Sequence, residues 1–159
     1  MSPEPPNAPV RPPPSALALG LAGLLPPLVG IVLRITGSAP ADARIVSLLL
    51  AGGMIYGGLI LSFIGGIWWG AACARRDGRA LRPWLTLAVM PSLIALTALV
   101  ASLFNPRVGG AVLAVALVGT LLGDRRLVQN RMVPAWWMRL RVPLSLWLAA
   151  EMIMVGLIA

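Results

Sequence analysis

The sequence predicts an all-α integral membrane protein, a bundle of five transmembrane helices with a short interfacial helix before the last one. Three observations predict this class. Of the 159 residues 58% are hydrophobic, the mean hydropathy is +0.88, and nearly all of the chain divides into five apolar runs flanked by arginines. A backbone in lipid must satisfy its own hydrogen bonds, so apolar runs of this length are helices.

The five runs cover, in chain order, residues 15–35, 45–72, 84–104, 108–122 and 142–159. A helix needs ~20 apolar residues to cross a ~30 Å hydrocarbon core, with ~17 as the lower end. The fourth run is short by this measure and spans only if its flanks contribute. Residues 1–14 are rich in proline and predict a disordered cytoplasmic tail, which leaves 15–159 as the transmembrane domain.

The arginines predict the orientation. All 13 basic residues are arginine, and this usage together with abundant Ala, Leu, Gly and Pro is typical of a GC-rich bacterial genome. One side of the five-span map carries most of them: Arg11, Arg75, Arg76, Arg79, Arg82, Arg125, Arg126, Arg131, Arg139 and Arg141. The other side carries Arg34, Arg44 and Arg107. Because positive residues in short loops stay in the cytoplasm, we expect a bacterial inner-membrane protein with a cytoplasmic N-terminus and a periplasmic C-terminus.

The residue types that are missing argue against an enzyme. The sequence has no histidine and no lysine, which removes histidine acid–base catalysis, histidine metal ligands and lysine Schiff bases. We therefore expect no enzymatic activity, no cofactor and no metal site. The net charge of +8 would suit nucleic acid, but arginines beside membrane spans are better explained by orientation and anionic headgroups, so we expect no nucleic-acid partner.

Small residues in the second span predict a helix-packing groove. Gly58, Ser62, Gly66 and Gly70 recur every four residues, and this spacing lets the backbone of a partner helix approach closely. We expect this helix at the centre of the bundle. Its partner is either a helix of the same chain or a helix of a second copy, which would make a homo-oligomer.

The segment between the fourth and fifth spans predicts a platform at the cytoplasmic face. We expect it to lie as an interfacial helix at headgroup level, with the platform made by Asp124, Arg125, Arg126, Trp136, Trp137, Arg139 and Arg141. Trp68, Trp69 and Trp84 fall at the same boundary, where tryptophan is favoured. Two interpretations stay open, which are ordinary anchoring of the helices and a binding site for an anionic phospholipid or a membrane protein complex.

A polar group is predicted near the middle of the membrane. Pro26 and Pro27 interrupt the first span and free backbone carbonyls, since proline donates no N–H. Tyr56 and Glu151 fall at a similar depth in their spans. An intramembrane carboxylate is a candidate for function because its burial as an ion is costly. The alternative interpretation is a hydrogen-bonded Glu151 that faces protein, with a kink filled by a neighbouring helix.

Five strings resemble a known family. They are LGLAGLLP at 19–26, LSFIGGIWWG at 61–70, MPSL at 90–93, GDRR at 123–126 and PAWWMRLRVPL at 134–144. In this order they resemble the domain of unknown function 3429 family, which includes the mitochondrial transmembrane protein 69. The resemblance covers almost everything after the tail and implies residence in a bacterial or mitochondrial inner membrane. It implies no established activity.

Two functions follow as hypotheses. The first is a non-enzymatic accessory or assembly factor that binds anionic lipid, or a membrane complex, through its cytoplasmic arginine and tryptophan residues. The second is a small transporter, or a protein that conducts protons or ions, with a midplane site around Glu151.

Overall fold

The computed structural model describes residues 11–37, 43–75, 78 and 81–159. These residues form helices and contain no strand. In chain order the helices are α1 (Pro14–Ala22), α2 (Leu25–Thr36), α3 (Ala43–Arg75), α4 (Arg82–Phe104), α5 (Pro106–Gln129) and α6 (Trp137–Ile158). The all-α prediction is confirmed. Residues 1–10 of the predicted tail lie outside the described part of the chain.

Five helical segments are long and apolar enough to cross a membrane, as predicted. α1 and α2 together form the first of them, over Pro14–Thr36, and α3 to α6 provide one each. Large apolar side chains such as Leu48, Val115 and Leu122 point away from the bundle, between 70 and 74% exposed. A soluble protein rarely exposes apolar surface on this scale, whereas lipid tails cover it at no cost.

The first span is broken where the sequence places Pro26 and Pro27. Gly23 and Leu24 form the turn between α1 and α2. A continuous helix would leave Pro26 and Pro27 without an N–H to donate and would press each ring against the carbonyl four residues back. The chain instead closes α1 with a hydrogen bond from the N–H of Gly23 to the carbonyl of Leu19, at 3.0 Å. The break that the sequence predicts is therefore present.

Consecutive spans pack antiparallel around α3, which contacts α2, α4, α5 and α6. The expected central position of this helix is confirmed. α3 and α5 end where α4 and α6 begin, and we call this end of the bundle the arginine-rich end. The described arginine side chains there are Arg82, Arg125, Arg126, Arg131, Arg139 and Arg141. Arg34, Arg44 and Arg107 lie toward the opposite end, where the guanidinium Nε of Arg34 donates to the carbonyl of Ile158 at 3.2 Å.

Two of the four residues of the predicted packing groove contact another helix among the described residues. Gly58 lies against Leu99 of α4, and Ser62 shares a 2.8 Å hydrogen bond with Ser92 of the same helix. Nothing among the described residues lies within 4 Å of a Cβ built on Gly66 or Gly70, so no described helix of this chain packs there, and a second copy at these two positions stays a prediction. A spacing of four residues drifts by about 40° per step on a helix of 3.6 residues per turn. The row of small residues from Gly58 to Gly70 therefore turns away from α4 as it approaches Gly70.

The glycines that do permit close approach in α3 are spaced differently. A Cβ on Gly65 would run into the carbonyl oxygen of Ala88 in α4. Gly53 faces Pro27 of α2 and Gly57 faces Met152 of α6, on sides of α3 that differ from the contact with α4. Gly58 and Gly65 are seven residues apart, and this interval returns almost to the same helix face. The contact with α4 follows this heptad spacing rather than the four-residue stripe.

The structure has no separate interfacial helix between α5 and α6 in the described part of the chain, so that prediction is wrong. α5 continues past the expected end of the fourth span as far as Gln129, and α6 already begins at Trp137. The turn between them contains Arg131, with a left-handed φ of 54°, and Met132 donates to the carbonyl of Leu127 at 2.9 Å. α5 continues because the carboxylate of Asp124 finds partners inside the bundle and does not need solvent.

Candidate functional site

The structure divides the predicted platform into buried and exposed residues. Asp124 is completely buried and Arg141 is 9% exposed. Their assignment to a surface platform is therefore wrong, because neither side chain reaches the outside of the bundle. Arg125, Arg126 and Arg139 are exposed at the arginine-rich end, and Trp136 and Trp137 are half-buried beside them.

Asp124 and Arg141 belong to a buried polar group that we call the inner cluster, made by Trp68, Thr120, Asp124 and Arg141. The Nε of Arg141 donates to Oδ2 of Asp124 at 2.8 Å. The indole N–H of Trp68 donates to the other carboxylate oxygen at 2.9 Å. Nη2 of Arg141 donates to the hydroxyl of Thr120 at 3.3 Å. Both oxygens of the buried carboxylate are thus hydrogen-bonded, as burial of a charge requires.

The sequence of α5 explains why the inner cluster forms. Thr120 and Asp124 are four residues apart, so both side chains lie on the same face of the helix. Gly123 lies between them, and a Cβ at this position would run into the ring of Trp68. The missing side chain lets the indole lie close to α5, where its N–H reaches Asp124. Three helices, α3, α5 and α6, are joined at this point.

Trp68 and Thr120 were not among the site residues predicted from the sequence. Trp68 was expected at the membrane boundary with Trp69 and Trp84, but it is 3% exposed and lies in the core. One sequence signal was present, since a buried indole N–H needs an acceptor and an aspartate in an apolar bundle needs donors. Pairing residue 68 with residue 124, however, requires the packing of α3 on α5.

Outside the inner cluster, the arginine-rich end presents a basic surface. We call the exposed or half-buried residues Arg125, Arg126, Arg131, Trp136, Trp137 and Arg139 the arginine-rich surface. The rings of Trp136 and Trp137 lie 6.0 Å apart between centroids, inclined at 46°. Among the described residues the side-chain carboxylates are Asp124 and Glu151, and Asp124 is held by Arg141. Asp124 is therefore not available to Arg125 and Arg126, which are exposed at the same end of the bundle as the two tryptophan rings.

Two of the three predicted midplane residues, Tyr56 in α3 and Glu151 in α6, lie on neighbouring helices. Glu151 is 5% exposed, and its Oε1 accepts a 2.9 Å hydrogen bond from the indole of Trp147 one turn earlier. Its Oε2 is buried and has no hydrogen-bond partner in the described part of the chain. Tyr56 is close enough to interact electrostatically with Glu151. Pro26 itself is exposed and does not line this group.

The fold and these sites define a class, that of an all-helical multi-pass membrane protein with a buried ion pair and a basic, aromatic end. A family model described as a protein of unknown function (DUF3429) matches residues 12–158. The chain belongs to this family, as the five strings in the sequence indicated. No curated protein and no solved structure matches the chain. The similarity to the mitochondrial member stays a prediction.

Proposed function

We propose that this protein is a non-enzymatic accessory factor of the bacterial inner membrane that binds anionic phospholipid headgroups through its arginine-rich surface. In this proposal the arginine-rich end faces the cytoplasm, as the positive-inside rule favours. The observation that supports it most is the burial of Asp124 and its pairing with Arg141. The described carboxylate nearest to the exposed arginines is buried and paired with Arg141, so it does not neutralise Arg125 and Arg126 at the surface.

The chemistry of the surface supports a phosphate ligand. The planar guanidinium group matches phosphate oxygens with two parallel hydrogen bonds. Tryptophan at the membrane interface supplies an apolar ring at the level of the headgroups and a polar N–H. A basic residue near an anionic membrane surface contributes about 1 kcal/mol of attraction. A homo-oligomer or a larger membrane complex would use the same surface through acidic residues of the partner.

Replacing both exposed arginines of α5, Arg125→Gln with Arg126→Gln, is expected to lower the preference for phosphatidylglycerol over phosphatidylcholine by roughly 30-fold. The reason is the loss of two charges at about 1 kcal/mol each. The preference of the wild type should also fall with added salt, because exposed charges are screened. Native mass spectrometry of protein released from mixed-lipid nanodiscs measures the ratio.

Arg107→Gln is the matched control, since Arg107 is exposed at the opposite end of the bundle. It should leave the ratio within about twofold of wild type, because the proposed headgroup site lies elsewhere. Equal preference in the double variant and the wild type would contradict the proposal.

A second candidate function, proton or ion conduction, is favoured by one observation. Oε2 of Glu151 is buried without a hydrogen-bond partner in the described residues, with Tyr56 nearby and the α1–α2 break on the adjacent span. An intramembrane carboxylate of this kind is a common element of proton relays. We expect such a protein to need Glu151 for transport.

In liposomes that contain a pH-sensitive dye, Glu151→Gln is expected to abolish proton flux if the protein conducts protons. Trp147→Phe is the matched control, because it removes the hydrogen bond to Oε1 and keeps the carboxyl group, so flux should persist. Equal flux in wild type and Glu151→Gln, or no flux above that of protein-free liposomes in either, removes this candidate.

A further inference from the structure

A cavity of about 290 Å³ lies between α1, α3 and α6. Its size is near the lower limit of ~300–1,000 Å³ that is usual for ligand pockets. Most of its walls are apolar, including Leu24, Ile60, Phe63, Ile67, Leu144 and Leu148. α1 forms its outer wall, and none of the nine residues of α1 is buried. The cavity therefore lies at the perimeter of the bundle, where bilayer lipid is the neighbour of the protein.

Polar groups without partners line this cavity. Ser145 is 2% exposed, and its hydroxyl has no hydrogen-bond partner in the described part of the chain. The indole N–H of Trp137 is also buried without a partner among those residues. A buried polar group that is left unpaired costs free energy, so unpaired groups in native proteins call for an explanation. A bound ligand with hydrogen-bond acceptors would satisfy both.

The charges around the cavity define the acceptor. Arg141 also lines it, but its charge is balanced by Asp124 in the inner cluster. The other side chains in the lining that can donate a hydrogen bond, those of Tyr56, Trp137 and Ser145, are neutral. A ligand carboxylate in this cavity would find no cation that is not already paired among the described lining residues, and burying an unpaired carboxylate is costly. A neutral ester carbonyl accepts a hydrogen bond from Ser145 without that cost.

The depth of the donors along α6 also fits a lipid. Trp137 is the first residue of α6, at the arginine-rich end, and Ser145 lies eight residues further along. At 1.5 Å per residue these positions are about 12 Å apart. Leu148 continues the lining toward the middle of the bundle. Polar groups are thus found toward one end of the cavity and apolar walls beyond them, which is the order of ester and chain in a phospholipid.

We propose that this cavity binds one acyl chain of a phospholipid, with an ester carbonyl group held by the hydroxyl of Ser145 and the glycerol–phosphate end of the same lipid lying toward the indole N–H of Trp137. The inference rests on the proposed function in one respect, because the headgroup of the bound lipid would lie at the arginine-rich surface. It goes beyond that function by naming an intramolecular site for the chain. α1 packs directly on α6 at one wall of the cavity, since a Cβ on Gly20 would meet the side chain of Leu144 at 2.6 Å.

The first test maps the chain directly. The full-length protein is reconstituted in vesicles of phosphatidylethanolamine and phosphatidylglycerol (3:1) that contain a phospholipid with a diazirine in one acyl chain. After irradiation we expect cross-linked peptides from 19–24 and 60–67, which line the cavity. Leu144→Trp should reduce this labelling at least fivefold by filling the cavity. Leu146→Trp on the same helix is the matched control, because Leu146 is 51% exposed, and it should label like wild type.

The second test does not depend on a bulky substitution. Ser145→Ala removes an unpartnered hydroxyl, so the thermal stability of the lipid-free protein in detergent should be unchanged or higher. Retained phospholipid, measured by native mass spectrometry, should fall about fivefold, which corresponds to the loss of one hydrogen bond. Ser145→Thr keeps the hydroxyl and should retain lipid to within about twofold of wild type.

Three outcomes would overturn the inference. They are labelling spread evenly over the apolar perimeter, labelling that Leu144→Trp leaves unchanged, and retention of free fatty acid in place of phospholipid. The variant with Arg125→Gln and Arg126→Gln separates this inference from the proposed function. If that variant keeps the cavity labelling but the wild type shows no preference for anionic headgroups, the proposed function fails and the acyl site stands.

Discussion

Replacing Asp124 with asparagine is expected to destabilise the bundle by about 3–5 kcal/mol, the cost of leaving a buried charge without its partner. Arg141 is 9% exposed and cannot reach solvent without moving α6. Neutral hydrogen bonds between membrane helices average only about 0.6 kcal/mol, so the uncompensated guanidinium dominates the effect. The free energy of unfolding in mixed micelles, followed by circular dichroism, measures this loss.

A double-mutant cycle separates the ion pair from simple packing. Arg141→Met removes the buried cation, and Asp124→Leu with Arg141→Met removes both charges. We expect the double variant to lose less stability than the sum of the single losses, because no lone charge stays buried. Arg125→Ala is the neighbouring control on the exposed face and should change stability by less than about 0.5 kcal/mol. Additive single losses would show that the two side chains act independently.

Introducing valine at Gly65 is expected to cost about 1–3 kcal/mol, the usual cost of overpacking. The clash is with the backbone carbonyl of Ala88, so no side-chain rotation relieves it and α4 must move. The same unfolding measurement in mixed micelles reports the loss.

Gly66 provides a matched control one residue away, because nothing among the described residues lies within 4 Å of a Cβ at that position. Gly66→Val should unfold within about 0.5 kcal/mol of wild type. The packing groove predicted from the sequence includes Gly66 but not Gly65, so it predicts a larger loss of stability for Gly66→Val than for Gly65→Val. A larger loss at Gly66 than at Gly65 would mean that α3 presents a different face to α4.

Much of the fold could be predicted because lipid imposes few solutions on the backbone. The lengths of the apolar runs determine the number of spans, and Pro26 with Pro27 forces the break between α1 and α2. The helical limits near Asp124 could not be predicted in the same way. In a sequence, a charged residue such as Asp124 indicates the end of a span unless its partner is known. The partner of Asp124 is Arg141, which lies 17 residues further along the chain.

The candidate site was predicted only as a region of the chain. The concentration of arginine and tryptophan between residues 124 and 142 is visible in the sequence, but composition does not say which side chains face inward. That sorting depends on the rotation of α5 and α6 about their axes. The rotation of α5 is set by Gly123, where the ring of Trp68 packs. A pairing between α3 and α5 is a tertiary contact that a local pattern does not encode.

Cysteine accessibility tests the central claim, which is that five spans place the arginine-rich end in the cytoplasm. In a Cys73→Ala background, one variant carries Ala135→Cys in the exposed turn before α6, and a second carries a cysteine added after Ala159 at the opposite end. A membrane-impermeant maleimide should label the first only in inside-out vesicles and the second only in right-side-out vesicles. Labelling of both cysteines from the same side, or the reverse pattern, would contradict the account.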